Sequence, residues 1–477
     1  MVSKKRSCLE NKYLYRDLCT LALIAIVTFI FYLQWKAFIV ANNQTGHLTG
    51  TGNIGMSLII YAFLYFIIGR WLHGFTIGVD RKANVLAGQV LTLFMLDICE
   101  VFISCAITGQ FRFFLEFIRI YYLMFIAQAI ITGLLIVLMI SIYRKNFPPI
   151  KIIEIYGEHS NDLYRKINSL TYKYDICALL SCDESDEMIR KKITSFDAVL
   201  INDLPAKKEN NIIKICFELD KRVYLVPKIS DILVKNSEEI NLFDTPLFLN
   251  RNAGMRRHQK FVKRMFDVVL SGLALVILSP VFILTALAIH FEDHGPVFFK
   301  QERVTLGGRH FMILKFRSMI VDAEKDGRPH PAGEKDDRIT KVGSFIRACR
   351  IDELPQLINI LKGDMSIVGP RPERWEHCKK YSEEIPEWNL RNKVRGGLTG
   401  YAQVYGKYNT TALDKLKLDL IYITNYSFLL DLQIIFQTVK ILLQKESTEG
   451  FSESQISEMH DDVQLQRKSI YSTEKHE

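Results

Sequence analysis

The sequence predicts a membrane protein that combines α-helical and α/β parts: a bundle of four transmembrane helices, a Rossmann-like α/β domain, and a mostly helical domain with a re-entrant membrane helix hairpin. Three observations predict this class. Hydrophobic residues make up 49% of the 477 residues, yet charged residues still make up 24%. Long apolar stretches are concentrated before residue 148, and shorter apolar runs alternate with polar helical segments after it. Such a chain joins a membrane-embedded part to a water-exposed part.

The first 147 residues contain four apolar stretches, each close to the about 20 residues that a helix needs to cross the hydrocarbon core. They cover residues 18–40, 52–72, 85–108 and 118–143. Lys and Arg are frequent before the first stretch, between the second and third, and after the fourth, whereas the loop 41–53 has none. Because basic flanks stay in the cytoplasm, the pattern predicts that both ends of this four-helix segment are cytoplasmic.

Two carboxylic acids, Asp97 and Glu100, interrupt the third apolar stretch. They are three residues apart and therefore share one face of a helix. Charged residues within a span are costly and rarely without a role. The sequence leaves three alternatives open: a proton or ion relay, a polar contact that faces the bundle, or a contact between subunits.

Residues 148–250 alternate short apolar runs with polar helical segments, which predicts a parallel sheet with crossover helices. Only one glycine, Gly157, directly follows the first predicted strand, whereas a dinucleotide-binding turn carries three. The pattern therefore favours a structural or regulatory role for this domain over nucleotide binding.

The formal net charge of +9 suits a protein that contacts anionic lipid or phosphate groups. Nucleic acid is also anionic, but the sequence has no helix-turn-helix, zinc-finger or RNA-binding signature, so nucleic acid is not an expected partner. The nine cysteines show no CxxC spacing, which predicts reduced thiols in a reducing compartment.

A fifth apolar stretch, residues 265–291, is interrupted by Ser279 and Pro280, and the re-entrant helix predicted from it covers residues 261–291. Proline removes a helix hydrogen bond and bends the helix, and the serine hydroxyl can satisfy a freed carbonyl. Basic residues flank both sides of the stretch: Arg251, Arg256, Arg257, Lys260, Lys263 and Arg264 before it, and Lys300, Arg303, Arg309, Lys315 and Arg317 after it. Two basic flanks predict a hairpin that enters the membrane and returns to the cytoplasm. The alternative is a kinked fifth span.

The adjacent acids Asp352 and Glu353 are the main candidates for chemistry. Pro355 is tolerated in the first turn of a helix, which predicts that Asp352 lies near a helix N-cap, where a carboxylate stays ionised. One carboxylate could then attack a substrate while the other holds a hard cation such as Mg²⁺. The alternative is that Asp352 merely caps the helix and Glu353 faces solvent.

Five cationic side chains surround this acid pair in the sequence, and they favour phosphate as the substrate. They are Lys315, Arg317, Arg347, Arg350 and Arg371. Arginine forks match phosphate oxygens in two-point contacts, and the rigid turn 369–372 is suited to aiming an arginine. Structural salt bridges are the alternative, but the position after a membrane hairpin indicates a phosphorylated lipid.

Residues 261–443 resemble the bacterial sugar transferase family, that is, the polyprenyl-phosphate hexose-1-phosphate transferases or monotopic phosphoglycosyl transferases. Six ordered motifs carry the resemblance: Ser279-Pro280, KFRSM at 315–319, DELPQ at 352–356, GPRP at 369–372, LTGYAQV at 398–404 and DLIYITNYS at 419–427. The order of four spans, an α/β domain and this segment resembles the long form of the family.

The resemblance implies transfer of a hexose 1-phosphate from a UDP-sugar, glucose or galactose by preference, to undecaprenyl phosphate. The products would be an undecaprenyl-diphosphate sugar and UMP, formed through an aspartyl-phosphosugar intermediate, at the start of exopolysaccharide, capsule or O-antigen synthesis. It also implies a multi-pass protein of the bacterial inner membrane with a catalytic domain, residues 251–443, on the cytoplasmic face. A homodimer stays open.

The resemblance also implies roles for single residues. Asp352 would be the nucleophile, Glu353 would ligate Mg²⁺, and Arg347 and Arg371 would bind phosphate. For Asp419, a substrate contact and ordinary helix polarity are both open. The family often has Pro-Gly where this chain has Gly396-Gly397, which weakens the case for the neighbouring Arg395 as a ligand.

Two other functions remain open from the sequence. One is a nucleotide-sugar glycosyltransferase that releases the nucleoside diphosphate, and the other is a non-enzymatic membrane scaffold or regulator of polysaccharide export. The final segment, 444–477, is polar and mixed in charge, which predicts a disordered tail.

Overall fold

The computed structural model describes residues 2–42, 51–109, 111–157, 163, 167, 172–242, 244–250, 254–321, 338–406 and 410–442. The chain forms two compact units, one that ends at Lys228 and one that begins at Ile229. The predicted tail, 444–477, lies outside the described residues.

The first unit begins with four long helices: α1 (Val2–Asn42), α2 (Thr51–Trp71), α3 (Lys82–Thr108) and α4 (Phe114–Asn146). Each contains a segment that is long and apolar enough to cross a membrane, which confirms the four predicted helices as candidate spans. Helix α1 packs against α2 and α4, and α3 packs against the same two helices, so the four form a bundle. Many apolar side chains on its outer surface are exposed, as a lipid-facing surface requires.

Polar side chains fill part of the interior of this bundle. Asp97 and Glu100 lie on the buried face of α3. The Tyr61 hydroxyl lies 3.2 Å from Oδ1 of Asp97, to which it donates, and accepts from Nε2 of Gln128 at 3.0 Å. The Ser104 hydroxyl donates to Oε1 of Glu100 at 3.4 Å. Of the three alternatives for these acids, the structure favours the polar contact that faces the bundle.

We expect Tyr61→Phe to lower the free energy of unfolding of the bundle by roughly 0.5–1.5 kcal/mol, because interhelical hydrogen bonds in membranes contribute about this much. The ring would keep its stacking on Phe31, whose centroid lies 4.0 Å away. Reversible unfolding in mixed detergent micelles measures the change. Tyr122→Phe is the matched control, since Tyr122 is 63% exposed. Equal stability of Tyr61→Phe and wild type would contradict the assigned contact.

The rest of the first unit contains a four-stranded parallel sheet, as the sequence predicts. Its strands are β1 (Ile150–Tyr156), β2 (Tyr174–Ser181), β3 (Ala198–Asn202) and β4 (Arg222–Leu225), and its helices are α5 (Asp186–Thr194) and α6 (Ala206–Glu218). The strand order is β2-β1-β3-β4 and all neighbours are parallel. Strand β3 is buried along its whole length, which is typical of a parallel sheet covered on both faces.

The second unit is mostly helical. Its helices are α7 (Ile229–Val234), α8 (Arg257–Ile277), α9 (Ser279–Asp293), α10 (Lys341–Ala348), α11 (Gln356–Lys362), α12 (Trp375–Glu384), α13 (Tyr401–Tyr405), α14 (Ala412–Thr424) and α15 (Phe428–Leu442). Its strands are β5 (Glu238–Leu242), β6 (Thr245–Leu249), β7 (Phe298–Val304), β8 (His310–Phe316), β9 (Ser366–Val368) and β10 (Gly397–Thr399). β5–β6 and β7–β8 are antiparallel pairs, and β9–β10 is a parallel pair.

Helices α8 and α9 form a pair that is bent by 61°. The break falls at Leu278, and Pro280 lies in the first turn of α9. The Ser279 hydroxyl donates to the carbonyl of Val276 at 2.7 Å, so it satisfies a carbonyl near the end of α8. The predicted helix break at Ser279-Pro280 is thereby confirmed.

The two faces of α8 are reversed relative to an ordinary surface helix. Its polar residues Lys263, Asp267 and Ser271 are buried at a spacing of four, whereas apolar residues such as Phe261 and Leu273 are exposed. The polar face contacts the protein and the apolar face points outward, as expected for a helix that lies against lipid.

Candidate active site

The acid pair lies in a short 3₁₀ turn, Ile351–Glu353, and not on a helix. The turn starts at Arg350, whose φ of 58° lies in the left-handed region. Helix α11 begins only at Gln356 and has Pro355 as its N-cap, so Asp352 caps neither element. The expectation that Asp352 lies near a helix N-cap is wrong in this respect. Because the backbone at Arg350 is in the left-handed conformation, the chain changes direction directly before the two acids.

The carboxylate of Glu353 is the centre of a group of cations. Its Oε1 lies 2.9 Å from Nη2 of Arg371, 3.2 Å from Nζ of Lys315 and 3.9 Å from Nη1 of Arg350. The side chain of Glu353 is only 12% exposed, so the alternative in which it faces solvent is wrong. The structure therefore assembles three of the five predicted cations directly on this carboxylate.

The two neighbouring acids have opposite electrostatic environments. For Glu353, burial alone would raise the pKa, but Arg371, Lys315 and Arg350 together hold the pKa of this carboxyl well below its usual range. For Asp352, burial raises the pKa above its usual value, against the opposing effect of Lys315. Glu353 is therefore a permanent anion, and Asp352 is the more basic carboxylate.

Arg347 and Arg350 also act on Asp352. Both lower its pKa electrostatically, although less than burial raises it. Arg347 lies in the last turn of α10, and Arg350 precedes the 3₁₀ turn. The structure thus brings four predicted cations, Lys315, Arg347, Arg350 and Arg371, to the acid pair.

Arg317 is engaged elsewhere. Its guanidinium forms a two-point ion pair with Asp293 at the end of α9, with one contact of 2.7 Å between Nη1 and Oδ2. Only 7% of the side chain is exposed. A Cβ at Gly295 would lie 2.6 Å from Nη1 of Arg317, so the glycine makes room for this arginine. The predicted role of Arg317 in binding phosphate stays a prediction.

Asp419 is also engaged in a buried ion pair. It lies on α14, is 1% exposed, and its Oδ2 accepts from Nε of Arg391 at 2.9 Å. Asp419 is therefore paired within the protein, and its predicted role as a substrate contact stays a prediction. Arg391, which lies in the 3₁₀ segment Pro386–Lys393, escaped the sequence analysis because a single arginine between a tryptophan and a lysine forms no pattern.

Helices α8 and α11 hold the chain around the acid pair: α11 hydrogen-bonds to strand β8, which carries Lys315, and α8 hydrogen-bonds to the end of α11. Asn359 of α11 accepts from the backbone N–H of Leu314 and donates to the carbonyl of Met312, each at 2.9 Å, which fixes β8 beside Lys315. Arg264 of α8 donates to the carbonyls of Ile360 and Leu361 at 2.6 and 2.7 Å. These two carbonyls lie in the last turn of α11, where a cation is favourable.

The segment that carries Arg371 is fixed by backbone contacts. Gly369 donates to the carbonyl of Thr399, and Gly397 donates to the carbonyl of Pro370, both at 2.9 Å. A Cβ at Gly397 would lie 2.1 Å from the backbone N of Gly369. The chain therefore needs glycine at position 397, and the change from Pro-Gly to Gly396-Gly397 keeps that glycine.

Within the described ranges, no group of three or more His, Cys, Asp or Glu side chains is arranged to hold a metal ion. The acid pair by itself offers two carboxylates. Mg²⁺ is commonly held by one or two carboxylates together with substrate phosphates and water, so the carboxylate of Glu353, the predicted ligand, fits a Mg²⁺ ion that takes its other ligands from the substrate and water.

We expect Glu353→Gln to lower the free energy of unfolding at neutral pH. The difference from wild type should become smaller as the pH falls. The pKa of Glu353 is depressed in the folded state, so its contribution is complete well above the unfolded value of about 4.3 and is lost progressively as the pH falls from there toward the folded pKa. Thermal unfolding in detergent between about pH 3.5 and 7 measures the difference between variant and wild type.

Glu384→Gln is the matched control for this experiment. Its ion pair with Lys380 is exposed, so the substitution should change stability by less than about 1 kcal/mol. A difference between Glu353→Gln and wild type that stays constant with pH would contradict the assigned ion pairs.

The fold and the site define a membrane-associated protein that holds an acid pair among cationic side chains. Residues 258–445 match the family model described as Bacterial sugar transferase. The chain belongs to this family.

Three relatives illustrate the likeness. The chain is 44% identical over 186 residues, 38% of its length and 44% of the relative's, to the UDP-N-acetylgalactosamine-undecaprenyl-phosphate N-acetylgalactosaminephosphotransferase of Aeromonas hydrophila. It is 41% identical over 230 residues, 46% of its length and 48% of the relative's, to the UDP-glucose:undecaprenyl-phosphate glucose-1-phosphate transferase of Escherichia coli K12. A Caulobacter vibrioides protein of the latter name is 44% identical over 191 residues, 39% of this chain and 71% of that protein. The match spans about half the length of the first two relatives.

Proposed function

We propose that the protein transfers a hexose 1-phosphate from a UDP-sugar to undecaprenyl phosphate and releases UMP. The observation that carries the proposal is the buried carboxylate of Glu353 under Arg371 and Lys315, with the more basic Asp352 beside it. The acid pair lies inside the segment that matches the family. Relatives named as undecaprenyl-phosphate sugar phosphotransferases support the choice of substrates.

The proposed reaction has two displacements at one phosphorus atom. In the first, a carboxylate oxygen of Asp352 bonds to the sugar-bearing phosphorus, and the bond from this phosphorus to the bridging oxygen breaks, so UMP leaves. In the second, a phosphate oxygen of undecaprenyl phosphate bonds to the same phosphorus and the Asp352 carboxylate leaves. The raised pKa of Asp352, caused by burial, makes its carboxylate the better nucleophile of the two acids.

The cations explain how an anion can attack a phosphate here. Two phosphate groups and a carboxylate repel one another, and Arg371, Lys315, Arg347 and Arg350 offset this repulsion. Burial lowers the pKa of Lys315, against the opposing effect of Glu353. Glu353 thus keeps this lysine and Arg371 charged and in place to receive phosphate oxygens.

Mg²⁺ is part of this proposal. Glu353 would hold it together with phosphate oxygens of the UDP-sugar, which leaves the carboxylate of Asp352 for the attack on phosphorus. When bound, it would supply positive charge that neutralises the diphosphate and the departing UMP.

We expect wild-type protein with UDP-sugar and undecaprenyl phosphate to release UMP. We expect Asp352→Asn to lower the rate of UMP release by roughly 10³-fold or more. The rate should fall at low pH. The midpoint of the fall should lie above the pKa of an ordinary Asp, about 3.9, because burial disfavours the ionised form of Asp352. Chromatography of the released nucleotide measures both.

The same measurement separates the alternatives. Release of UDP would indicate a nucleotide-sugar glycosyltransferase, and release of no nucleotide would indicate a scaffold or regulator. Full activity of Asp352→Asn would exclude this residue as the nucleophile. Mass spectrometry of trapped wild-type protein should detect a phosphosugar adduct on the peptide that contains Asp352.

We further propose that the bent pair α8–α9 is re-entrant and lies in the bacterial inner membrane, with the second unit on the cytoplasmic face. Three observations support this topology: the 61° bend, the buried polar face of α8, and basic residues on both flanks. The four-stranded parallel sheet is proposed to be a Rossmann-like domain on the same side.

Cysteines introduced at Arg257 and Phe291, the two ends of the bent pair, should react with an impermeant thiol reagent from the same side of the membrane. Cys177 and Cys349 are exposed and would first be replaced by serine. Right-side-out and inverted vesicles are compared. Labelling of the two positions from opposite sides would mean that the pair is a fifth span.

The sugar is the open part of the proposal. Named relatives use UDP-glucose and UDP-N-acetylgalactosamine, while the resemblance to the long form of the family implies glucose or galactose. A panel of these three UDP-sugars with the purified protein would identify the donor. The product would then start exopolysaccharide, capsule or O-antigen synthesis.

A further inference from the structure

Arg371 is held at two points. Its guanidinium contacts Glu353, and its backbone carbonyl accepts a hydrogen bond of 3.0 Å from Nη2 of Arg391. Arg391 is 4% exposed, and its guanidinium lies over the ring of Trp388, 4.5 Å from the centroid. The buried guanidinium of Arg391 is therefore hydrogen-bonded to the backbone of Arg371, an arginine of the acid-pair site.

Asp419 fixes the orientation of Arg391. Its Oδ2 lies 2.9 Å from Nε and 2.7 Å from Nη2 of Arg391. Burial raises the pKa of Asp419, and the charge of Arg391 opposes this effect. Because the carboxylate contacts two nitrogens of a planar group, it sets the plane of the guanidinium and the direction of Nη2. Lysine has no such fork and could not make both contacts.

The neighbouring carbonyls are held by other groups. The carbonyl of Pro372 accepts from Nη1 of Arg303 at 3.1 Å, and the carbonyl of Pro370 accepts from the backbone of Gly397. The hydrogen bond from Arg391 is thus the contact that fixes the peptide directly after Arg371.

We propose that Arg391, with Asp419 as its counter-ion, is a positioning residue for phosphate transfer: it holds the backbone of Arg371 so that the Arg371 guanidinium reaches the phosphate beside the acid pair. This inference rests on the proposed function. Arg391 acts through Arg371 and contacts no substrate.

A double-mutant cycle tests this role. Arg391→Lys keeps the charge next to Asp419 and removes the fork. It should lower kcat/KM for UMP release roughly 10- to 100-fold, because a small displacement of a positioned group has effects of this size. In the Arg371→Ala background the same substitution should cost less than about 2-fold. A merely structural residue would cost the same in both backgrounds.

Arg309→Lys is the matched control. It makes the same change at an arginine that is 60% exposed and paired with Asp364, and it should leave kcat/KM within about 2-fold in both backgrounds. If Arg391→Lys does not accumulate in membranes, Asp419→Asn replaces it, with a smaller loss that again disappears in the Arg371→Ala background. Asp419→Glu should restore part of the activity, since it restores the negative charge.

Equal losses in the two backgrounds would overturn the positioning role and leave the proposed function intact. No loss on Arg391→Lys with wild-type Arg371 would do the same. Absence of UMP release by wild-type protein would overturn the proposed function and this inference together.

Discussion

Burial of the Glu353 carboxylate constrains the whole second unit. A buried carboxylate is costly unless cations and hydrogen bonds compensate for the lost water. Here the compensation comes from Lys315, Arg350 and Arg371. These residues belong to β8, the approach to the 3₁₀ turn, and the segment after β9, so the carboxylate is satisfied only when all three are packed together.

The outward-facing helix α8 and the candidate site form one structure. Asp267 of α8 accepts from the hydroxyl of Ser366 and the backbone of Ile367, both at 3.0 Å, and so holds β9, the strand that leads to Arg371. Arg264 of the same helix holds the end of α11, which follows the acid pair. The helix with the exposed apolar face therefore fixes both chain segments that meet at Glu353.

Much of the architecture could be predicted because its signals are local. Four long apolar stretches define four helices, and the alternation after residue 148 defines a parallel sheet. The break at Ser279-Pro280 follows from the covalent geometry of proline. The family could be predicted from short ordered motifs such as DELPQ and GPRP, whose residues remain adjacent in the fold. The site was predicted less completely: composition identified Glu353 and its cations as a group, but assigned Asp352 to a helix cap that does not form.

The sequence by itself determined the spans, the helix break and the set of charged residues available to the site, because periodicity, proline geometry and composition act over a few residues. Only the tertiary structure decided which charges pair. Arg317 joins Asp293, Arg391 joins Asp419, and Arg371 joins Glu353. An arginine at any position can pair with any acid that the fold brings within about 4 Å, and which acid that is depends on how distant strands and helices pack.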